Sequence, residues 1–316
     1  MTSATAAAAL PRTPPPDAPA QRLPGDLVVW LLVLLELLTF GMLFVAFAGA
    51  RLRDPALFAA GQATLDLNSG ALNTVLLVSA SACAARALHA VRASHSRAGA
   101  RWLLAALAFG LGFLGVKSLE YLHKWQEGLD IAENTFAMLY VGLTGFHFLH
   151  AAVGCLLFAL LWAPTRRGAY GPGNCHALET VTVFWHMVDL LWMVLFPLVY
   201  VLRCCTTHLI AASAFQISLR AQIHHKSMTA RRINVIWAIL LLATALTWWL
   251  GESGSATRAE LASAAIVLGL SALKGALIVL DYMELRHAPA LWRRLLLGWL
   301  AVVVVLLLAA SAWHAR

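Results

Sequence analysis

Three carboxylates fall in or beside long apolar runs, where an ionised group costs roughly 2.5–3.5 kcal/mol on insertion scales. Glu36 sits in the middle of LLVLLELLTFGMLF, Glu120 lies near the end of its run, and Glu179 opens another. A carboxyl at the depth of Glu36 can act as a protonatable, lipid-facing group. It can equally be a neutral, hydrogen-bonded Glu packed between helices. Glu120 is expected to lie close to water, which favours a structural role. Two further pairs carry chemistry by spacing. His147 and His150 stand three apart in TGFHFLHAAVG, as do His186 and Asp189 in ETVTVFWHMVDLLW. On a helix each pair shares one face. Two such faces can meet around a metal, or they can form an interhelical hydrogen-bond network. Spacing leaves both open. Lys274 lies inside SALKGALIVLDYMEL, about two turns from either end of its run. Asp281, one heptad on, or an acid on a neighbouring helix would relieve its charge; Glu284 follows close behind.

The elements that must position these residues are transmembrane helices. The chain has 316 residues, 61% hydrophobic and 12% charged, with a net charge of +8. A soluble chain is usually about a quarter charged. The apolar residues form about eight blocks long enough to span a bilayer. These run over 27–50, 71–91, 102–122, 136–162, 178–202, 233–250, 261–282 and 291–313. Lipid admits only internally hydrogen-bonded backbone, so an all-α polytopic bundle is predicted. Arg and Lys cluster in the short loops, a placement that follows the positive-inside rule rather than nucleic-acid binding. Residues 1–26, rich in Ala and Pro, read as a disordered tail without the apolar core of a signal peptide. The five cysteines show no Cys-x-x-Cys pair, so neither a disulfide framework nor a zinc site is expected. Gly110 to Gly115, GLGFLG, matches a dinucleotide fingerprint in form only. It lies within an apolar helix, where small residues allow close packing.

The spans divide five plus three. Residues 27–203 form the first module, 204–230 a linker whose apolar stretch is too short to span, and 231–316 the second. In the first module Arg92, Arg97, Arg101, Arg166 and Arg167 place the N-terminus in the cytoplasm and Arg203 outside. Arg231, Arg232, Arg286, Arg293 and Arg294 of the second module also favour the cytoplasm. The two modules therefore disagree across the linker, and MTARRINVIW from Met228 reads like a protein start. Either one module inserts against its bias, or two polypeptides have become joined. The second module is expected to fold as a unit of its own.

Five motifs, in order, resemble subunit III of the haem-copper oxidases: LLELLTFGMLF around Glu36, LNTVLLVSAS with Asn73 and Thr74, SLEY with Glu120, NTFAMLYVGLTGFHFLHAAVG, and FWHMVDLLWMVLFPLVY. The five-helix form is similar to the accessory protein of nitric oxide reductases, the NorE type. LKGALIVLDYMELRHAP, Leu273 to Pro289, is similar to the bacterial subunit IV-like partner, the NorF type. The resemblance implies a non-catalytic subunit of the bacterial inner membrane. It implies no haem, copper or other metal on this chain, bound phospholipid, and haem and metal in a catalytic partner whose assembly and proton uptake it supports. Glu36 matches the family's carbodiimide-reactive glutamate. Asn73, His147, His150, His186 and Asp189 are then a structural polar network. The readings carried forward are an accessory subunit of a nitric oxide reductase or oxidase, subunit III of a cytochrome c or quinol oxidase, a proton-coupled transporter using Glu36 and Glu179, and a membrane metalloenzyme.

Overall fold

The structure, a computed structural model, describes residues 23–128, 134–202, 230–252, 260–286 and 288–314. Its long helices are α1 (Leu27–Arg53), α3 (Leu67–Arg92), α4 (Ser96–Gln126), α5 (Thr135–Arg166), α6 (His176–Phe196), α7 (Ala230–Glu252), α8 (Glu260–Leu277) and α9 (Ala290–His314). The short helix α2 (Pro55–Ala63) lies between α1 and α3 and is too short for its pattern to announce it. Single π-helical turns extend α6 (Pro197–Val201) and α8 (Ile278–Tyr282). Among the described residues eight helices are long and apolar enough to cross a membrane. The chain is thus a multi-pass helical membrane protein.

Side-chain chemistry sets several of the helix starts. The Asp66 carboxylate accepts from the amides of Asn68 and Ser69 and caps α3. Asn134 caps α5 in the same way, through the amides of Phe136 and Ala137. Both satisfy donors that a helix N-terminus leaves free. Burial alone would raise the Asp66 pKa, but the hydrogen bonds from Ser69 and Asn68 outweigh it and hold the carboxyl below its usual range.

The helix α6 is the axis of the bundle, with every residue from Val181 to Phe196 buried. Around it α1 exposes Leu31, Leu35, Leu38, Met42 and Val45, and α5 exposes Leu149, Val153, Leu156 and Leu160. Such surfaces suit acyl chains rather than water. Two glycines let α6 approach its neighbours. A Cβ on Gly154 would fall 2.6 Å from the Trp185 ring, and one on Gly110 would fall 2.6 Å from Cys155 Sγ and 2.9 Å from Trp185. Of the GLGFLG stretch, Gly110 alone needs its missing side chain for packing, since Gly115 has open space beside it. Gly154→Val should displace the Trp185 indole and lower stability by roughly 1–3 kcal/mol. Thermal unfolding in detergent, followed by tryptophan fluorescence, would report it.

Helix ends sort onto two faces. On the first, Gly25 N–H donates to Glu179, Trp30 packs on Trp292, and Arg92 bridges Glu179 and Glu284. Arg232 pairs there with Asp281. The Arg clusters of both modules therefore share this basic face. On the second face Trp248 Nε1 donates to Asn68, and Gly251 abuts Leu67 and Val201. It follows that α6 and α7 run parallel, with Val201 and Ala230 at opposite faces. The helices of residues 230–314 also pack into the same buried core as those of 27–202, through α3, α6 and α1. The expectation that the second module stands as a unit of its own gives way to this shared core. Within it α7 buries Ile233, Ile236, Leu240, Ala243, Thr244 and Thr247 along one side. The linker expectation for 204–230 falls almost wholly outside the described residues, as does that for 1–22. Residues 23–26 do lie on the bundle: Pro24 O accepts from Trp30 Nε1, and Asp26 N–H donates to Thr180.

Candidate functional site

The carboxylates do not come together; each has its own partners. Glu36 Oε2 lies 3.3 Å from His150 Nε2, both side chains being largely covered. The contact is at ion-pair distance without the alignment of a hydrogen bond. His150 Nδ1 is tied to Phe146 O at 2.8 Å, and its ring packs edge-on to Phe40 and Phe146. Of the two readings of Glu36, the geometry supports the packed one: α1 and α5 meet at a carboxylate–imidazole pair. Glu36→Gln should keep this packing and change stability by less than about 1 kcal/mol, in line with membrane interhelical bonds. It should also abolish labelling by a hydrophobic carbodiimide at this position, as mapped by peptide mass.

Glu120 overturns its expectation. It is buried rather than close to water, at the centre of a cluster that links α4, α5 and the π turn after α6. Lys117 Nζ lies 3.0 Å from Glu120 Oε1, 3.0 Å from Tyr140 OH and 2.5 Å from Tyr200 OH. Tyr140 and Tyr200 in turn donate to the same carboxylate oxygen, at 2.5 and 2.6 Å. A helix end is wet only if no neighbour covers it, and here the aromatic rings of α5 and the π turn do. Sequence reasoning passed over Lys117, Tyr140 and Tyr200. The available signal was KSLEY, which puts Lys117 and Glu120 on one face. Gln62 of α2 was also missed; its amide donates to Leu198 O and Val199 O, two carbonyls of the π turn.

Glu179 sits on the basic face, accepting from Arg92 at 2.7 Å and from Cys175 Sγ. Arg92 spans from there to Glu284 at 2.6 Å. Asp281 binds Arg232 and Arg286. Lys274 therefore does not take Asp281 as its partner. The π turn adds a residue to the helical repeat between them, and two arginines occupy that carboxylate. Lys274 Nζ instead donates to Thr247 Oγ1 at 3.3 Å and is fully buried. Arg92→Met should cut both bridges at once. The pairs are partly exposed, so the loss should be about 1 kcal/mol per pair at most and shrink as salt is raised.

The expected polar network of Asn73, His147, His150, His186 and Asp189 divides. His147 joins α5 to α6 through Nε2 and Val188 O at 3.0 Å. His150 turns to Glu36. His186 and Asp189 face away from both, toward α3 and the second module, and neither they nor Asn73 have a hydrogen-bond partner within the protein. The neighbouring Thr74 accepts from Trp192 Nε1 at 2.8 Å and ties α3 to α6. Among the described residues no three His, Cys, Asp or Glu side chains gather in a way that could hold a metal ion. Chemically, the arrangement pins helices together and keeps polar groups inside the bundle.

Comparison with known proteins agrees with that architecture. Residues 26–204 match the family model described as cytochrome c oxidase subunit III, and residues 235–308 match that described as prokaryotic cytochrome c oxidase subunit IV. Cytochrome c oxidase subunit 3 of Synechocystis sp. is 33% identical over 175 residues, covering 55% of this chain and 74% of the relative. That of Thermostichus vulcanus is 32% identical over 182 residues, 57% of this chain and 89% of the relative. A probable cytochrome c oxidase subunit 3 of Nocardia farcinica is 28% identical over 176 residues, 56% and 86% respectively. With α1 to α6 matched from end to end, the chain belongs to the cytochrome c oxidase subunit III family.

Proposed function

We propose that the chain is the non-catalytic subunit III of a haem-copper terminal oxidase, carrying a subunit IV-like module on the same polypeptide. The observation that supports this most is the family match over residues 26–204, with the second match beside it at 235–308. The relatives are named as subunits of cytochrome c oxidase. This favours an oxygen-reducing partner over the nitric oxide reductase expected from the motifs. In this reading haem and copper reside in the catalytic partner, and this chain binds none. Phospholipid covers the apolar faces of α1 and α5. The buried ion pairs hold the bundle rigid against the partner and support its proton uptake. The basic face lies in the cytoplasm of a bacterium, beneath the inner membrane, as the positive-inside rule favours.

The test is to isolate the tagged full-length chain with its native partners and measure what the assembly consumes. The expected result is a haem-bearing partner and oxygen consumption. An assembly that consumes nitric oxide and not oxygen would move the chain to the nitric oxide reductase accessory role. Isolation with no haem-bearing partner would defeat the proposal and reopen the transporter reading.

A further inference from the structure

The seam where α3 and α6 meet α7 and α8 is polar in its interior. His186 and Asp189 of α6, Ser81 of α3 and Lys274 of α8 are fully buried, and Tyr282 nearly so. Yet both ring nitrogens of His186, both carboxylate oxygens of Asp189, Ser81 Oγ and Tyr282 OH have no hydrogen-bond partner within the protein. They are neighbours. The Ser81 hydroxyl stands beside Asp189, short of hydrogen-bond geometry, and the Lys274 charge acts on the same carboxyl. Tyr282 also senses Asp189, and its ring lies 5.3 Å from that of His186. Lys274 reaches one hydroxyl, Thr247 of α7. An unsatisfied buried polar group is costly, and more so if charged. Several together would rival the whole stability of a domain. Buried polar groups in native proteins find partners, and where no protein atom serves, bound water does.

The cluster is also not sealed. Tyr282 lines a cavity of about 510 Å³ that opens on the basic face, together with Arg92, Glu179, Arg232, Asp281 and Glu284. The π turn at Ile278–Tyr282 places Tyr282 on the cavity wall with its ring against His186. Turns of this kind recur at functional positions in helices.

We propose that the seam between the two modules encloses a chain of bound water that runs from Asp189 past Tyr282 to this cavity, giving Asp189 and His186 proton exchange with the basic face. The site needs both modules: Asp189, His186 and Ser81 come from the first, Lys274, Thr247 and Tyr282 from the second. The charged and titratable groups around it are Cys83 and Arg86 of α3, Lys274 of α8, Tyr282 and Asp281 of the π turn, and Arg232 of α7 at the mouth.

Hydroxyl-radical footprinting of the full chain in lipid nanodiscs tests this, because radicals born in bound water oxidise the side chains beside it. Trp192 is the dry control: it is fully buried, its Nε1 is bonded to Thr74, and indole is intrinsically more reactive than imidazole. The expected result is oxidation of His186 and Tyr282 about tenfold faster than Trp192, with label from 18O-water incorporated at both. Asp189→Leu should then reduce oxidation of His186 by about tenfold while Tyr282, at the cavity, stays reactive. Ser81→Ala serves as the milder variant should Asp189→Leu not fold, with a smaller loss in the same direction. His186 as silent as Trp192 overturns the proposal, since water would stop at the cavity. So does oxidation of His186 that neither variant changes.

Discussion

Replacing Glu120 by Leu should destabilise the protein by about 3–5 kcal/mol, the largest effect expected of any single change. Removing one member of a buried ion pair strands the other charge in a medium that cannot solvate it. Here Lys117 would be stranded, fully buried between α4, α5 and the π turn. Tyr140 and Tyr200 would lose their acceptor in the same step. Lys117→Met should cost less, because Tyr140 and Tyr200 still donate to the carboxylate that loses its counter-charge. The double variant Lys117→Met, Glu120→Leu should recover much of the loss, because an apolar pair of similar volume can replace a buried ion pair at little cost. Unfolding of all four proteins in one detergent gives the coupling energy directly. Additive single losses would mean that the two side chains act independently and that the cluster does not pin the helices.

The second large effect concerns covalent continuity. Val201 and Ala230 lie at opposite faces, separated by the length of α7, about 34 Å at 1.5 Å per residue. The shared core and the bridges on the basic face hold the two modules together whatever joins them covalently. The same arrangement puts Arg92, Arg232 and Arg286 on one face, where the charge rule wants all of them. Residues 1–203 and 228–316 expressed together as two chains should therefore assemble into the same bundle, held by the shared core and by the Arg92–Glu284 bridge. Co-purification of the untagged half measures this, and reporters placed after Arg203 and before Arg231 should read opposite sides of the membrane. Reporters reading the same side, or halves that fail to associate while the full chain folds, would contradict it.

The architecture was legible where physics acts locally. Apolar runs of about twenty residues marked each span, because lipid leaves backbone no alternative to the helix. The ends were not legible. The helix α4 runs from Ser96 to Gln126, beyond its apolar block at both ends, since protein neighbours extend it past the hydrocarbon. The short α2 was invisible because nine residues carry too little pattern to identify a helix. At the site, pairs within one helix could be read and pairs between helices could not. Thus His150 was found but not Glu36 as its neighbour, and Lys274 was found with its acid left between Asp281 and an unnamed one on a neighbouring helix, where Asp189 lies. The π turn after Leu277 broke the heptad arithmetic behind the Asp281 alternative. Glu120 was misplaced for the same reason: its cover comes from Tyr140 and Tyr200, which are 20 and 80 residues away.

As the subunit III proposed above, this chain would be redox-silent and docked on a catalytic partner. Native mass spectrometry of the purified assembly, with an absorption spectrum taken before and after the subunits are separated, tests it most directly. The account predicts that this chain accompanies a catalytic subunit in fixed ratio, and that every haem and copper stays with that partner when the subunits part. A chain that carries away a haem or a metal ion of its own, lost on His147→Ala or His186→Ala, would contradict it.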